Sequence, residues 1–235
     1  MRSGKPVAVF AVLLVVSFAT MNAMPSDTLL AALLQEAVLA LVALVAVGLA
    51  VPDALKRCTQ TVQQRSIVRF TAITLLLVGL VGGAITLLAW LFAGGGTMAC
   101  FASTALPSTA DLMENLLLLL GICLLTGLYE ESFMRVLGIE AFERALDTKR
   151  TILASAALFA LLHVGAPDVS AGQLVLLQTA LKFGQALLFG VILGALYVRT
   201  RRLWPCAFIH AGFDVLYMAP NVLLTGTMPE TYASG

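Results

Sequence analysis

Six ionisable side chains stand inside otherwise apolar stretches: Glu130, Glu131 and Arg135 in one, His163 in a second, His210 and Asp214 in a third. The chain has 2 histidines, and both are among them. A lone histidine in an apolar helix is more often a satisfied core group than a catalyst. Both histidines of the chain, each in a different apolar helix, with carboxylates in a third and one turn from His210, favour chemistry. These types suit hydrolysis. A partly desolvated glutamate can take a proton from water, and a histidine can share that task or protonate a leaving amine. A second histidine with a polar neighbour can hold the oxyanion of a tetrahedral intermediate.

Helical spacing assigns their partners. Glu131 and Arg135 are one turn apart and share a face, as a charge-compensated pair. Glu130 is rotated by about 100° from Glu131 and points elsewhere, into the bundle. His210 and Asp214 share one face, and Phe159 and His163 another, with the ring packing beside the imidazole.

The elements that hold them are membrane helices. Hydrophobic residues make up 60% of the 235 and charged residues 11%, against roughly 25% charged in a soluble domain. The expected fold is all-α, a polytopic transmembrane bundle of about seven spans. They run approximately Val7–Ala23, Leu29–Val51, Phe70–Phe92, Leu112–Arg135, Ile152–Pro167, Leu174–Val198 and Leu203–Ala219. The first is read as a retained span rather than a cleaved signal, because no small-x-small site precedes Pro25. Every Lys and Arg except Lys182 then falls on alternate loops, which puts the N-terminus in the cytoplasm and the C-terminus outside. The apolar run Leu116–Leu128 is too short to cross a bilayer, so the fourth span carries charge into the inner leaflet. A charge at that depth costs at least about 3 kcal/mol on insertion scales and usually faces a cavity.

Three motifs resemble those of a known family. Glu130-Glu131-Ser132-Phe133-Met134-Arg135 fits EExxxR, Phe159 to His163 fits FxxxH, and His210 to Asp214 fits HxxxN/D. In that order on membrane helices they are similar to the type II CAAX prenyl endopeptidase and bacteriocin-processing family (CPBP) of intramembrane proteases. The resemblance covers about Leu124–Tyr217. It implies that Glu130 with His163 activates the attacking water, that His210 and Asp214 stabilise the oxyanion or orient the water, and that Glu131, Arg135 and Phe159 support the site. It leaves a metal-free mechanism and a zinc site both open, with no HExxH present. Position 214 departs from the pattern, holding Asp where the best-known eukaryotic members have Asn. A carboxylate is the poorer oxyanion donor unless protonated.

The implied partner is a membrane-associated protein or peptide in the bilayer of a bacterial inner membrane: a prenylated C-terminus, a bacteriocin leader or a sorting segment. No basic patch interleaved with aromatics points to nucleic acid. The division expected is a three-span region at 1–111, a four-helix core at 112–222 and a tail at 223–235. Alternative readings are a proton- or ion-coupled transporter and an inactive binding or immunity relative. The chain lacks the repeated halves common in transporters.

Four further expectations concern single elements. Gly138–Arg150 reads as a short amphipathic surface helix, and His163 as deeper in the membrane than His210 unless the fifth helix starts below the membrane or the hairpin after it stops short of the outer surface. Gly82, Gly83, Gly190 and Gly194 read as sites of close helix packing. Lys182 and Glu36 are a guessed pair, with Gln35 beside them unassigned.

Overall fold

The computed structural model describes residues 4–24, 26–59, 68–74, 76, 107–164 and 173–228. They are helical almost throughout, with no strand among them. We number the helices α1 (Lys5–Ala23), α2 (Leu29–Ala50), α3 (Pro52–Thr59), α4 (Thr109–Phe142), α5 (Thr148–Val164), α6 (Gln173–Thr200) and α7 (Leu203–Thr225). Among the described residues, five segments are long and apolar enough to cross a membrane: α1, α2, α4, Thr179–Thr200 of α6, and α7. α5, of 17 residues, falls on the fifth expected span. Residues 68–74 are helical where the third begins, and the rest of Phe70–Phe92, with Gly82 and Gly83, lies outside the described residues.

Local sequence starts and stops these helices. Ser108 and Asp111 close a reciprocal capping box on α4, and Thr28 accepts from the Ala31 amide at the head of α2. Gly226, at φ 68°, ends α7 in the left-handed conformation that suits glycine. α7 runs through Pro220, so the helix is longer than the expected Leu203–Ala219.

Large apolar side chains such as Val15, Phe18, Leu41, Leu117, Leu181 and Leu188 point outward. Their natural neighbour is lipid. Inside, α4 packs along α7 and α2, and α5 along α6. Small residues set the spacing. A Cβ on Gly127 would lie 2.6 Å from the Ala207 carbonyl oxygen, and one on Gly190 would lie 2.9 Å from Ala156 Cα. Gly194 faces Ile152, so Gly190 and Gly194 are the close-packing sites expected of them.

α4 changes character at its foot. Thr109–Glu131 is α-helical, Ser132–Ile139 is π-helical, and Glu140–Phe142 is a last α turn. Every residue of the π segment is buried. Gly138–Phe142 therefore completes α4 instead of starting a separate surface helix. The reason is electrostatic as well as apolar. Glu140 and Glu143 meet Arg201 at 3.3 and 2.6 Å, and Glu140 meets Arg57 at 2.8 Å. These pairs tie the foot of α4 to the ends of α3 and α6.

Candidate active site

Glu130 and Glu131 are the last two residues of the α-helical part of α4, and their side chains diverge as the helical rotation requires. Glu131 and Arg135 are both 0% exposed. Arg135 Nε lies 3.0 Å from Glu131 Oε2, an ion pair rather than an aligned hydrogen bond. Arg135 Nη1 donates to Ser155 Oγ at 3.2 Å, and Ser155 donates to the Met134 carbonyl at 2.9 Å. Ser155 thus joins α5 to the π segment. The motif reading missed it, because its partners are about 20 residues away.

The other oxygen of Glu131, Oε1, is 2.9 Å from His210 Nδ1. A carboxylate paired with a guanidinium accepts, so Nδ1–H of His210 is the donor and Nε2 faces away from Glu131. His163 Nδ1 lies 2.9 Å from the Phe159 carbonyl oxygen. A carbonyl can only accept, so here too Nδ1 carries the proton and Nε2 is the free edge. Two unrelated contacts produce the same tautomer.

Both free edges face one atom. Glu130 Oε2 is 3.7 Å from His163 Nε2 and 3.6 Å from His210 Nε2. It is buried with no hydrogen-bond partner among the described residues. These separations exceed a direct hydrogen bond and suit groups that act on a small molecule between them. Asp214 Oδ2 lies 3.7 Å from His210 Nε2, on the same side. The two imidazoles therefore stand level, which decides between the readings of His163's depth that the sequence left open. His163 follows the start of α5 by 15 residues, roughly 22 Å, and His210 follows that of α7 by seven, roughly 10 Å. α5 begins farther from the site.

Aromatic rings fix the imidazoles. Phe159 lies between Arg135, whose Cζ is 4.8 Å from the ring centroid, and His163, at 4.2 Å between centroids. Phe189 meets His210 edge-on at 5.3 Å. Phe159 was legible from its spacing to His163. The contact of Phe189 with His210 was not, since it depends on how α6 crosses α7.

The donors are of kinds that bind zinc. Among the described residues, however, no three His, Cys, Asp or Glu side chains are set to hold a metal ion. Gln35 donates to the Met21 and Met24 carbonyls at 3.3 and 3.0 Å, capping the end of α1. No ion pair joins Lys182 to Glu36 among the described residues. Glu36 instead has Glu130, Asp214 and His210 within electrostatic reach.

Residues 112–216 match the family model described as type II CAAX prenyl endopeptidase Rce1-like, a stretch that includes every motif residue above. No curated protein and no solved structure matches the chain.

Proposed function

Since residues 112–216 are an Rce1-like type II CAAX prenyl endopeptidase domain, placing the chain among the CPBP intramembrane proteases, we propose that it cleaves a peptide bond in a membrane-associated protein or peptide with water activated by Glu130. The observation that carries this reading is the facing of Glu130 Oε2 by the Nε2 atoms of both His163 and His210, at 3.7 and 3.6 Å.

The two histidines are backed differently and take different roles. The neutral carbonyl behind His163 leaves Nε2 as an acceptor, suited to orienting water beside Glu130. The Glu131 carboxylate behind His210 stabilises an imidazolium, whose Nε2–H can donate to a developing oxyanion. Glu130 takes one proton from water as its oxygen bonds to the scissile carbonyl carbon. Collapse of the tetrahedral intermediate breaks the C–N bond, and the proton passes from Glu130 to the leaving nitrogen. Asp214 assists as an oxyanion donor when protonated and otherwise orients His210.

The test is cleavage of a fluorogenic farnesylated CAAX peptide and of a bacteriocin-leader peptide by the full chain in proteoliposomes, with Glu130→Gln and His163→Ala beside it. Cleavage lost in both variants and retained after treatment with a zinc chelator is the expected result. Equal cleavage by the variants would remove the proposed mechanism. Loss on chelation, restored by zinc alone, would replace it with a metal-dependent one.

A further inference from the structure

The site has a carboxylate that the motifs do not account for. α2 lies outside residues 112–216, yet it packs along α4, with Leu33 against Gly121, and Glu36, one turn further along α2, is within electrostatic reach of Glu130, Asp214 and His210. Its carboxylate oxygen Oε2 is buried and has no partner among the described residues. The charged and titratable groups around it are Glu130, Tyr129 and Cys123 on α4 and Asp214 and His210 on α7.

A buried acceptor left unpaired is costly, so its retention calls for a partner in the working complex. A peptide drawn into a lipid-embedded bundle brings the complementary need: each of its backbone N–H groups loses water and must be given an acceptor. Glu130 Oε2 is committed to water between the imidazoles. We propose that Glu36 is a substrate-orienting residue, its free oxygen accepting a hydrogen bond from one backbone N–H of the bound peptide beside the scissile bond. The inference rests on the peptidase reading above, and it makes the N-terminal helices part of the substrate site.

The experiment uses the farnesylated CAAX probe and a set of copies, each with one backbone amide near the scissile bond N-methylated. Glu36→Leu is expected to lower kcat/KM on the parent probe by about tenfold to a hundredfold, the range for a hydrogen bond to a charged group. The deficit disappears on one N-methylated copy, whose missing N–H already costs the unmodified protein the same factor. Glu36→Gln, which keeps an acceptor oxygen, retains most of the activity. A uniform deficit on every probe, or none, overturns the proposal. Glu36→Met, which keeps more of the side chain's length without an acceptor, carries the same expectations should Glu36→Leu fail to fold. Unfolding of both variants would assign Glu36 to packing and overturn it too. No cleavage of any probe by the unmodified protein would sink the peptidase reading, whereas cleavage abolished in Glu130→Gln and intact in Glu36→Leu would sink this inference alone.

Discussion

Glu131 holds two partners at once: His210 Nδ1 at 2.9 Å from one oxygen and Arg135 Nε at 3.0 Å from the other. All three side chains are buried. Removing one charge from such a set strands the other in a medium that cannot solvate it, at a cost of about 3–5 kcal/mol. Arg135→Met is expected to show that loss as a large drop in unfolding temperature in detergent. The double variant Glu131→Gln, Arg135→Met recovers much of it, because neither stranded charge remains. It does not recover peptide cleavage, since His210 has lost the carboxylate behind it.

Glu130 is the opposite case. Its nearest imidazole nitrogens are 3.6 and 3.7 Å away, too far for a strong direct bond. Glu130→Gln should therefore leave thermal stability within about 0.5 kcal/mol of the original, as for changes away from key packing features. Cleavage falls by about 10²–10⁴-fold, the usual contribution of a positioned base. A parallel loss of stability would show that Glu130 serves the fold.

Gly127 offers a test of position without touching any ionisable group. A Cβ there would be 2.6 Å from the Ala207 carbonyl oxygen and 3.4 Å from His210 Cβ. Gly127→Ala must push α7 from α4, with an overpacking cost of about 1–3 kcal/mol. Cleavage is expected to fall well beyond what that cost implies, because His210 moves away from Glu131. Unfolding curves and rates measured on the same preparation separate the two effects.

Cys58, on α3, is 1% exposed, with Tyr197 and the Arg201 carbonyl beside its sulfur. Burial pushes its thiol above the usual range. Because the thiolate is the reactive form and a raised pKa means less of it at a given pH, alkylation at about pH 8 should be slow. In a variant keeping Cys58 alone, maleimide labelling is expected to rise sharply when the protein is unfolded in denaturing detergent. Rapid labelling of the folded protein would show that α3 leaves the bundle.

The seven motif residues were legible because each lies one helical turn, or one rotation, from another, and that relation survives folding. Their convergence across three helices follows from close approaches at Gly127 and Gly190, which only the packed structure reveals. Ser155 and Phe189 were not assigned, and Glu36 was paired with Lys182 by a guess, since each meets its neighbours across helices far apart in sequence. The level of His163 stayed open for a related reason. Counting from the edge of an apolar run assumes that every helix begins at the same plane, and α5 does not. The π segment left no trace in composition. Glu140 and Glu143 just beyond it, read as part of a surface helix, are the ones that Arg57 and Arg201 hold.

The junction between α6 and α7 has a consequence of its own. Arg201 adopts φ 53° there, an uncommon conformation for a residue with a side chain, while its guanidinium grips Glu140 and Glu143. That grip works like the alignment pin of a rotary lock. Adding one residue between Arg201 and Leu203 would turn α7 by about 100°, and Phe208 or Ile209 would face the carboxylates where His210 now does. The length of a two-residue corner thus selects which side of α7 is read by the rest of the machine.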